Sequence, residues 1–394
     1  MWKVRAPMLL RVMMDTCREV YSVGQDAPVK TVEIPVEEGF VTVSIDGQEV
    51  ELLLDSGFSD VSVLDGDWYE KKYGKGACQE RFSGCYFCPK EAPCNFAEND
   101  MIATGSFGNK SAIRSIFRSG SLLLEGHRAT GFVFKVSRYP VWGSDTWRPW
   151  GHFGISALLP ESKSLKPGFK RESVLDSLKR LGLIGRLSYS IQADVRQHSM
   201  MNFISGQVTL GDMQNESNTN YVFPFKHDIR FHRAYTTAWV SSVKLFDAEG
   251  NLLTTESPYP KQPGSFMTLM DTGSNNFGLP MSLQESIVKV LEKEFKRRDN
   301  TTRIAGMWRR HKNGFLYIKK EAFNYLPVFG LRLNDEPDSA PIKIHPKHYC
   351  QNAGKDEMAV FVRYSRLSVL GTPLFRAYRV HVDYTNHKIA LLKN

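Results

Sequence analysis

Short apolar runs, many alternating with polar residues and bounded by turn residues, mark this chain as strand-rich. Val41, Val43 and Ile45 alternate with polar positions, Asp46-Gly47 suits a two-residue hairpin turn, and Val50, Leu52 and Leu54 resume the alternation, so residues 40–54 predict a β-hairpin. A second hairpin is predicted over residues 122–136, with Leu122-Leu123-Leu124, a turn at Glu125-Gly126 and a return from Phe132 to Val136. Gln207-Val208-Thr209-Leu210 reads as a short strand entering a turn at Gly211-Asp212, and strands over 378–383 and 388–392 flank a turn at Thr385-Asn386-His387. Two segments have a helical period instead. Val174, Leu175, Leu178 and Leu181 predict a helix over 173–183, and Leu283, Ile287, Leu291 and Phe295 predict another, opened by a capping box of Ser282 and Glu285. Residues 70–100 carry four cysteines with Pro89 and Pro93 and read as an irregular surface excursion.

The first hairpin delivers Asp55 to a strand exit, at the head of the triplet Asp55-Ser56-Gly57. A second triplet, Asp271-Thr272-Gly273, followed by Ser274, ends the apolar run Leu269-Met270. Each has an apolar glycine segment downstream, Phe153-Gly154-Ile155 and Val369-Leu370-Gly371, and 99 positions separate Asp55 from Gly154 where 100 separate Asp271 from Gly371. A single Asp before Gly is ordinary turn chemistry. Two, with glycine partners at matching distance, point to a duplicated lobe that brings two carboxylates together, and paired carboxylates share a proton. The glycines let the backbone turn tightly and approach a ligand.

The length of 394 residues suits two lobes rather than one core, and 42% apolar with 24% charged content describes a globular protein. No apolar stretch reaches the roughly 20 residues that span a bilayer. The net charge of +9 is scattered along the chain, and no nucleic-acid-binding module accompanies it. Of the six cysteines, Cys78, Cys85, Cys88 and Cys94 crowd together with spacing C-x6-C-x2-C-x5-C, which suits two local disulfides, with a structural zinc site as the rival. Cys17 and Cys350 remain to pair or stay free. Three glycosylation sequons, at Asn109, Asn215 and Asn300, are compatible with a secretory route. Residues 1–30 read as a leader or residual pro-segment, in which Arg11 interrupts an otherwise signal-like apolar core.

The ordered set of both triplets, Phe153-Gly154-Ile155, residues 206–212 and the segment from Val369 to Asp383 resembles the pepsin-like aspartic proteases over roughly residues 34–394. The resemblance implies a mostly β, bilobal acid protease fold with two duplicated β-rich lobes and a central cleft: residues 31–212 with a flap and the Cys-rich insertion, then residues 213–394. It implies a catalytic pair, Asp55 and Asp271, supported by Ser56, Gly57, Thr272, Gly273 and Ser274, with no metal and no cofactor. The partners it implies are a polypeptide substrate and pepstatin-like inhibitors, with no nucleic acid and no membrane span, for a monomer in a secreted or endomembrane and vacuolar setting. Phe107-Gly108 aligns with the flap tip, and Phe117 is the alternative. The chain departs from the family where a hydroxyl that bonds the first carboxylate is expected, since Phe58 follows Gly57, and where a tryptophan is expected, at Ser62. An aspartic endopeptidase is the expectation, and a catalytically weak peptide-binding protein the rival.

Overall fold

A computed structural model describes residues 30–97, 102–106, 111–141, 148–158, 164–166, 169–170, 172–194, 202–212, 221–224, 236–253, 266–279, 283–299, 306–311, 314–333, 341–365 and 368–393. The protein is mostly β, its strands gathered into several sheets. Both predicted hairpins form. Phe40–Ile45 pairs antiparallel with Gln48–Asp55, and the turn between them holds Asp46 at φ 51° and Gly47 at φ 82°. Positive φ at both central positions matches the turn to the twist of its strands. Ala112–Leu124 pairs with His127–Val141 about Glu125 and Gly126. These strands outrun the predicted span because Arg118, Ser119 and Gly120 break the apolar pattern while the ladder continues through them.

The helix Val174–Arg180 is opened by a capping box of Ser173 and Asp176. Leu283–Asp299 is helical as its period predicts, burying Ile287, Leu291 and Phe295, whereas Ser282 lies outside the described residues. The excursion at 70–100 is more ordered than expected. A helix, Gly66–Tyr73, capped by Asp65 accepting from the Trp68 amide, runs into it, followed by the turn Ala77–Gln79 and the short strand Cys85–Tyr86. Cys78 with Cys85 and Cys88 with Cys94 stand at disulfide distance, their Cα atoms 5.6 and 5.7 Å apart. Cys350 is a buried thiol, its ionisation pushed up by desolvation, and Cys17 lies outside the described residues, as do Asn109, Asn215 and Asn300. Among the described residues no helix is long and apolar enough to cross a membrane.

Three sheets position the two triplets. One runs Phe40–Ile45, Gln48–Asp55, His152–Gly154, Val61–Asp65, His127–Val141, Ala112–Leu124, Ile102–Ser106. Another runs Ile342–Ile344, Val328–Leu333, Thr237–Phe246, Phe266–Met270, Ser368–Leu370, Phe277–Leu279, Val362–Tyr364. The same local knot is tied in both. Gln48–Asp55 lies parallel to His152–Gly154, with Leu54 opposite Phe153, and Val61 pairs antiparallel with that Phe153. Phe266–Met270 lies parallel to Ser368–Leu370, with Leu269 opposite Val369, and Phe277 pairs antiparallel with Leu370. Gly154 and Gly371 sit under the loop that crosses each knot. A Cβ on Gly154 would stand 2.5 Å from the Phe58 carbonyl oxygen, and one on Gly371 2.2 Å from that of Ser274, so neither position admits a side chain. The third sheet runs Val32–Val36, Gly206–Leu210, Ser188–Ala193, Tyr378–Asp383, Lys388–Lys393, Tyr221–Pro224, joining strands from both halves of the sequence.

A buried ion pair underlies the first loop. Lys135 donates to Asp60 Oδ2 at 2.6 Å, both side chains nearly inaccessible, and its Nζ lies 5.2 Å from the ring centres of Phe58 and Phe117. Removing one member of such a pair strands the other charge. Lys135→Met is expected to lose about 3 kcal/mol of unfolding free energy in urea, and adding Asp60→Asn is expected to restore part of that loss.

Candidate active site

Asp55 is the last residue of its strand, and Asp271 follows Met270 directly. Each carboxylate is held first by its own loop: Gly57 N–H donates to Asp55 Oδ1 at 2.8 Å, and Gly273 N–H donates to Asp271 Oδ1 at 2.9 Å. The hydroxyls then reach across. Ser56 N–H donates to Thr272 Oγ1, and Thr272 N–H donates to Ser56 Oγ, both at 3.0 Å. Each hydroxyl also donates to the backbone one residue before the opposite aspartate, Ser56 Oγ to the Met270 carbonyl at 3.0 Å and Thr272 Oγ1 to that of Leu54 at 2.7 Å. The four bonds repeat under exchange of the two loops, and all are buried.

The brace sets each carboxyl against the glycine of the opposite loop. A Cβ on Gly57 would lie 3.0 Å from Asp271 Cγ, and one on Gly273 2.7 Å from Asp55 Cγ. All of the predicted residues Asp55, Ser56, Gly57, Asp271, Thr272 and Gly273 therefore converge. Ser274 stands at the edge of the group, its hydroxyl donating to the Asn276 carbonyl at 3.4 Å. Burial, then the charge of Asp55 and a hydrogen bond with it, raise the pKa of Asp271 well above the usual carboxylate range, against the opposing pull of the Gly273 and Gly57 amides. Such a pair can hold one proton between two acids and orient a water for attack on an electrophile.

The flap residues Phe107 and Gly108 lie outside the described residues. The strands on either side of them pair, Ser106 opposite Ala112. Phe117, the alternative tip, sits instead in the body of a strand, buried and opposite Lys135. Phe58 is also buried, its ring 5.6 Å from that of His152.

His152 is the residue that motif reasoning missed. Its Nδ1 lies 3.0 Å from Asp55 Oδ2, on the carboxylate oxygen not used by Gly57. The signal was available in the spacing: His152 precedes Gly154 by two positions, as Val369 precedes Gly371. A second missed group ties the loops from behind. Thr372 Oγ1 donates to the Asn202 carbonyl at 2.6 Å, and the buried Arg376 donates to Asn202 Oδ1 and, at 3.2 Å, to the Phe203 carbonyl.

No family model matches the chain, and no curated protein matches it.

Thr272→Val leaves the buried Ser56 amide without its acceptor and is expected to lose about 2 kcal/mol in chemical unfolding. The pKa of Asp271 is raised on folding, so the folded state holds a proton that the unfolded state releases above its ordinary value of 3.8. Stability from this group is therefore present at acid pH and lost as pH rises through the folded pKa. Asp271→Asn removes that loss. In thermal unfolding the variant is expected to gain on the wild type more at neutral pH than in acid.

Proposed function

We propose that this protein is an aspartic endopeptidase with a bilobal, pepsin-like arrangement, in which Asp55 and Asp271 activate a water across a cleft between residues 31–212 and 213–394. The observation that carries the reading is the reciprocal brace of Ser56 and Thr272, which presents two carboxyls from distant parts of the chain to one another. The twofold repeat of the knot around each triplet, and a sheet that takes strands from both halves, support the two-lobed arrangement. A pair that keeps one proton at working pH can be base and acid at once. The ionised carboxylate takes a proton from water as the oxygen attacks the scissile carbonyl, and the protonated partner gives its proton to the carbonyl oxygen. On collapse the first carboxyl protonates the leaving amine, and the second recovers its proton from the tetrahedral intermediate.

The substrate is an extended polypeptide, and pepstatin-like compounds occupy the same cleft as inhibitors. A monomer contains both aspartates. The two cysteine pairs at disulfide distance are compatible with an extracellular or lumenal setting, and secretory or vacuolar delivery to an acidic compartment suits the chemistry. One observation favours a peptide-binding protein without turnover: at the position matching Ser274 the first loop has the buried ring of Phe58. Cleavage of an unfolded protein between about pH 3 and about pH 7 decides between them, with Asp271→Asn expected to lose at least about a thousandfold in rate. Pepstatin-sensitive cleavage absent from that variant supports the enzyme. Binding of pepstatin without cleavage by folded wild-type protein at any pH would assign the site to peptide capture.

A further inference from the structure

We propose that His152 is a positioning residue that donates from Nδ1 to Asp55, keeps that carboxylate ionised and confines the shared proton to Asp271. The proposal rests on the reading of the two aspartates as a water-activating pair, and it divides their roles: Asp55 as base, Asp271 as acid.

Around each triplet the strands keep the same register, so each residue near Asp55 has a counterpart near Asp271. Leu53 lies opposite His152 and Ser62 pairs with it on the other side, while Leu269 lies opposite Val369 and Gly278 pairs with that residue. His152 and Val369 are therefore equivalent positions, one with an N–H to offer and the other with none. Phe58 and Ser274 are the second unequal pair. The first loop has an apolar ring where the second has a hydroxyl, and the imidazole packs beside that ring. On the side of Asp55 a side-chain polar contact thus comes from the strand beneath the loop, added to the loop's own Gly57 amide.

A ring proton on Nδ1 is an arrangement that the two ring contacts accommodate. His152 is buried, with Nδ1 at 3.0 Å from Asp55 Oδ2 and Nε2 at 3.5 Å from Tyr139 Oη. Burial, with the charge of Asp55 adding to it, pushes ionisation of Tyr139 far up, so its hydroxyl retains a proton to offer Nε2. An imidazole that accepts at Nε2 carries its proton on Nδ1. Nδ1–H facing a carboxylate requires an acceptor, which an ionised Asp55 supplies. The groups of opposite or like charge near the ring are Asp55 on its own sheet, Asp271 across the brace, and the Lys135–Asp60 pair, whose ammonium lies 5.2 Å from the centre of the Phe58 ring. The lysine is bound to its own carboxylate, which leaves Asp55 as the acid that His152 addresses.

In the cycle, Asp55 takes the water proton while Asp271 delivers its own to the carbonyl oxygen; on collapse Asp55 gives its proton to the leaving amine and Asp271 regains one from a hydroxyl of the tetrahedral intermediate. His152 transfers none. Its bond to Asp55 makes one of two otherwise equivalent proton positions lower in energy.

Nitrogen-15 NMR of the His152 ring and steady-state kinetics test this together. The spectrum of the wild-type protein is expected to show Nδ1 protonated at neutral pH and in acid. A bare Nδ1 with the proton on Nε2 would require Asp55 to carry the dyad's proton and would overturn the proposal. In kinetics, His152→Leu is expected to lower kcat about tenfold or more with KM little changed, and to move the acid limb of the kcat/KM profile up by about one pH unit. His152→Asn, which restores an N–H near the same point, is expected to recover most of both. A His152→Leu variant with the wild-type acid limb would also overturn it. If wild-type protein cleaves nothing, the endopeptidase reading falls, and the placement of the proton is decided by the spectrum alone.

Discussion

The reciprocal contact between Ser56 and Thr272 is the constraint on which the rest of the site depends. Two carboxyls brought together out of water are unfavourable unless something else fixes the backbone that carries them. Here two hydroxyls each accept from the facing amide and donate to a carbonyl, so four buried backbone groups on two distant loops are satisfied by two side chains. The brace leaves no room for a Cβ at Gly273 and little at Gly57, each of which faces the opposite carboxyl. Small hydroxyl residue and glycine are thus a single requirement: the first holds the loops together, and the second permits the distance.

The brace is only as rigid as the strands feeding it. Each loop is crossed over a short parallel strand at a glycine where a side chain would collide with backbone. Behind them, Asn202, held at φ 61°, accepts from Thr372 and Arg376 and so links the first half of the chain to the segment following Gly371. Burial lowers the pKa of Arg376 to about 10, still far above any working pH, so it remains a cation that needs the Asn202 and Phe203 oxygens. Asn202 also donates to the Asn275 carbonyl, so the tie reaches the loop that carries Asp271.

What could be read from the sequence was what is local. The hairpin at Asp46-Gly47 follows from turn chemistry and a period of two, and the paired aspartates from repetition at nearly constant spacing. The helix Gly66–Tyr73 escaped because its charged residues Glu70, Lys71 and Lys72 leave only Tyr69 as a large buried anchor, too sparse for a helical stripe. Lys135 falls where alternation from Phe132, Phe134 and Val136 assigns an outward position, yet it is buried, because Asp60 supplies its counter-charge from a neighbouring strand. His152 belongs to no motif at all. Its meaning comes from being placed beside Asp55 by a parallel pairing between strands almost a hundred residues apart, a relation the linear pattern contains only as a matched offset from two glycines.

A duplicated scaffold raises a chemical difficulty that these unequal positions address. Two carboxyls in mirrored surroundings have two nearly equivalent arrangements of one proton, whereas hydrolysis needs a base and an acid in defined places relative to the scissile bond. Mirrored backbone cannot make that distinction, since the amides of Gly57 and Gly273 serve their carboxylates alike. Side chains outside the brace can, because they are free to differ without disturbing it. His152 against Val369 and Phe58 against Ser274 are two such differences, and both lie at Asp55 rather than in the bonds shared by the loops. On the proposed reading, symmetry builds the pair and asymmetry one strand below assigns its proton. Divergence at those positions can tune the acidity of the site while the hydroxyls and glycines that assemble it stay in place.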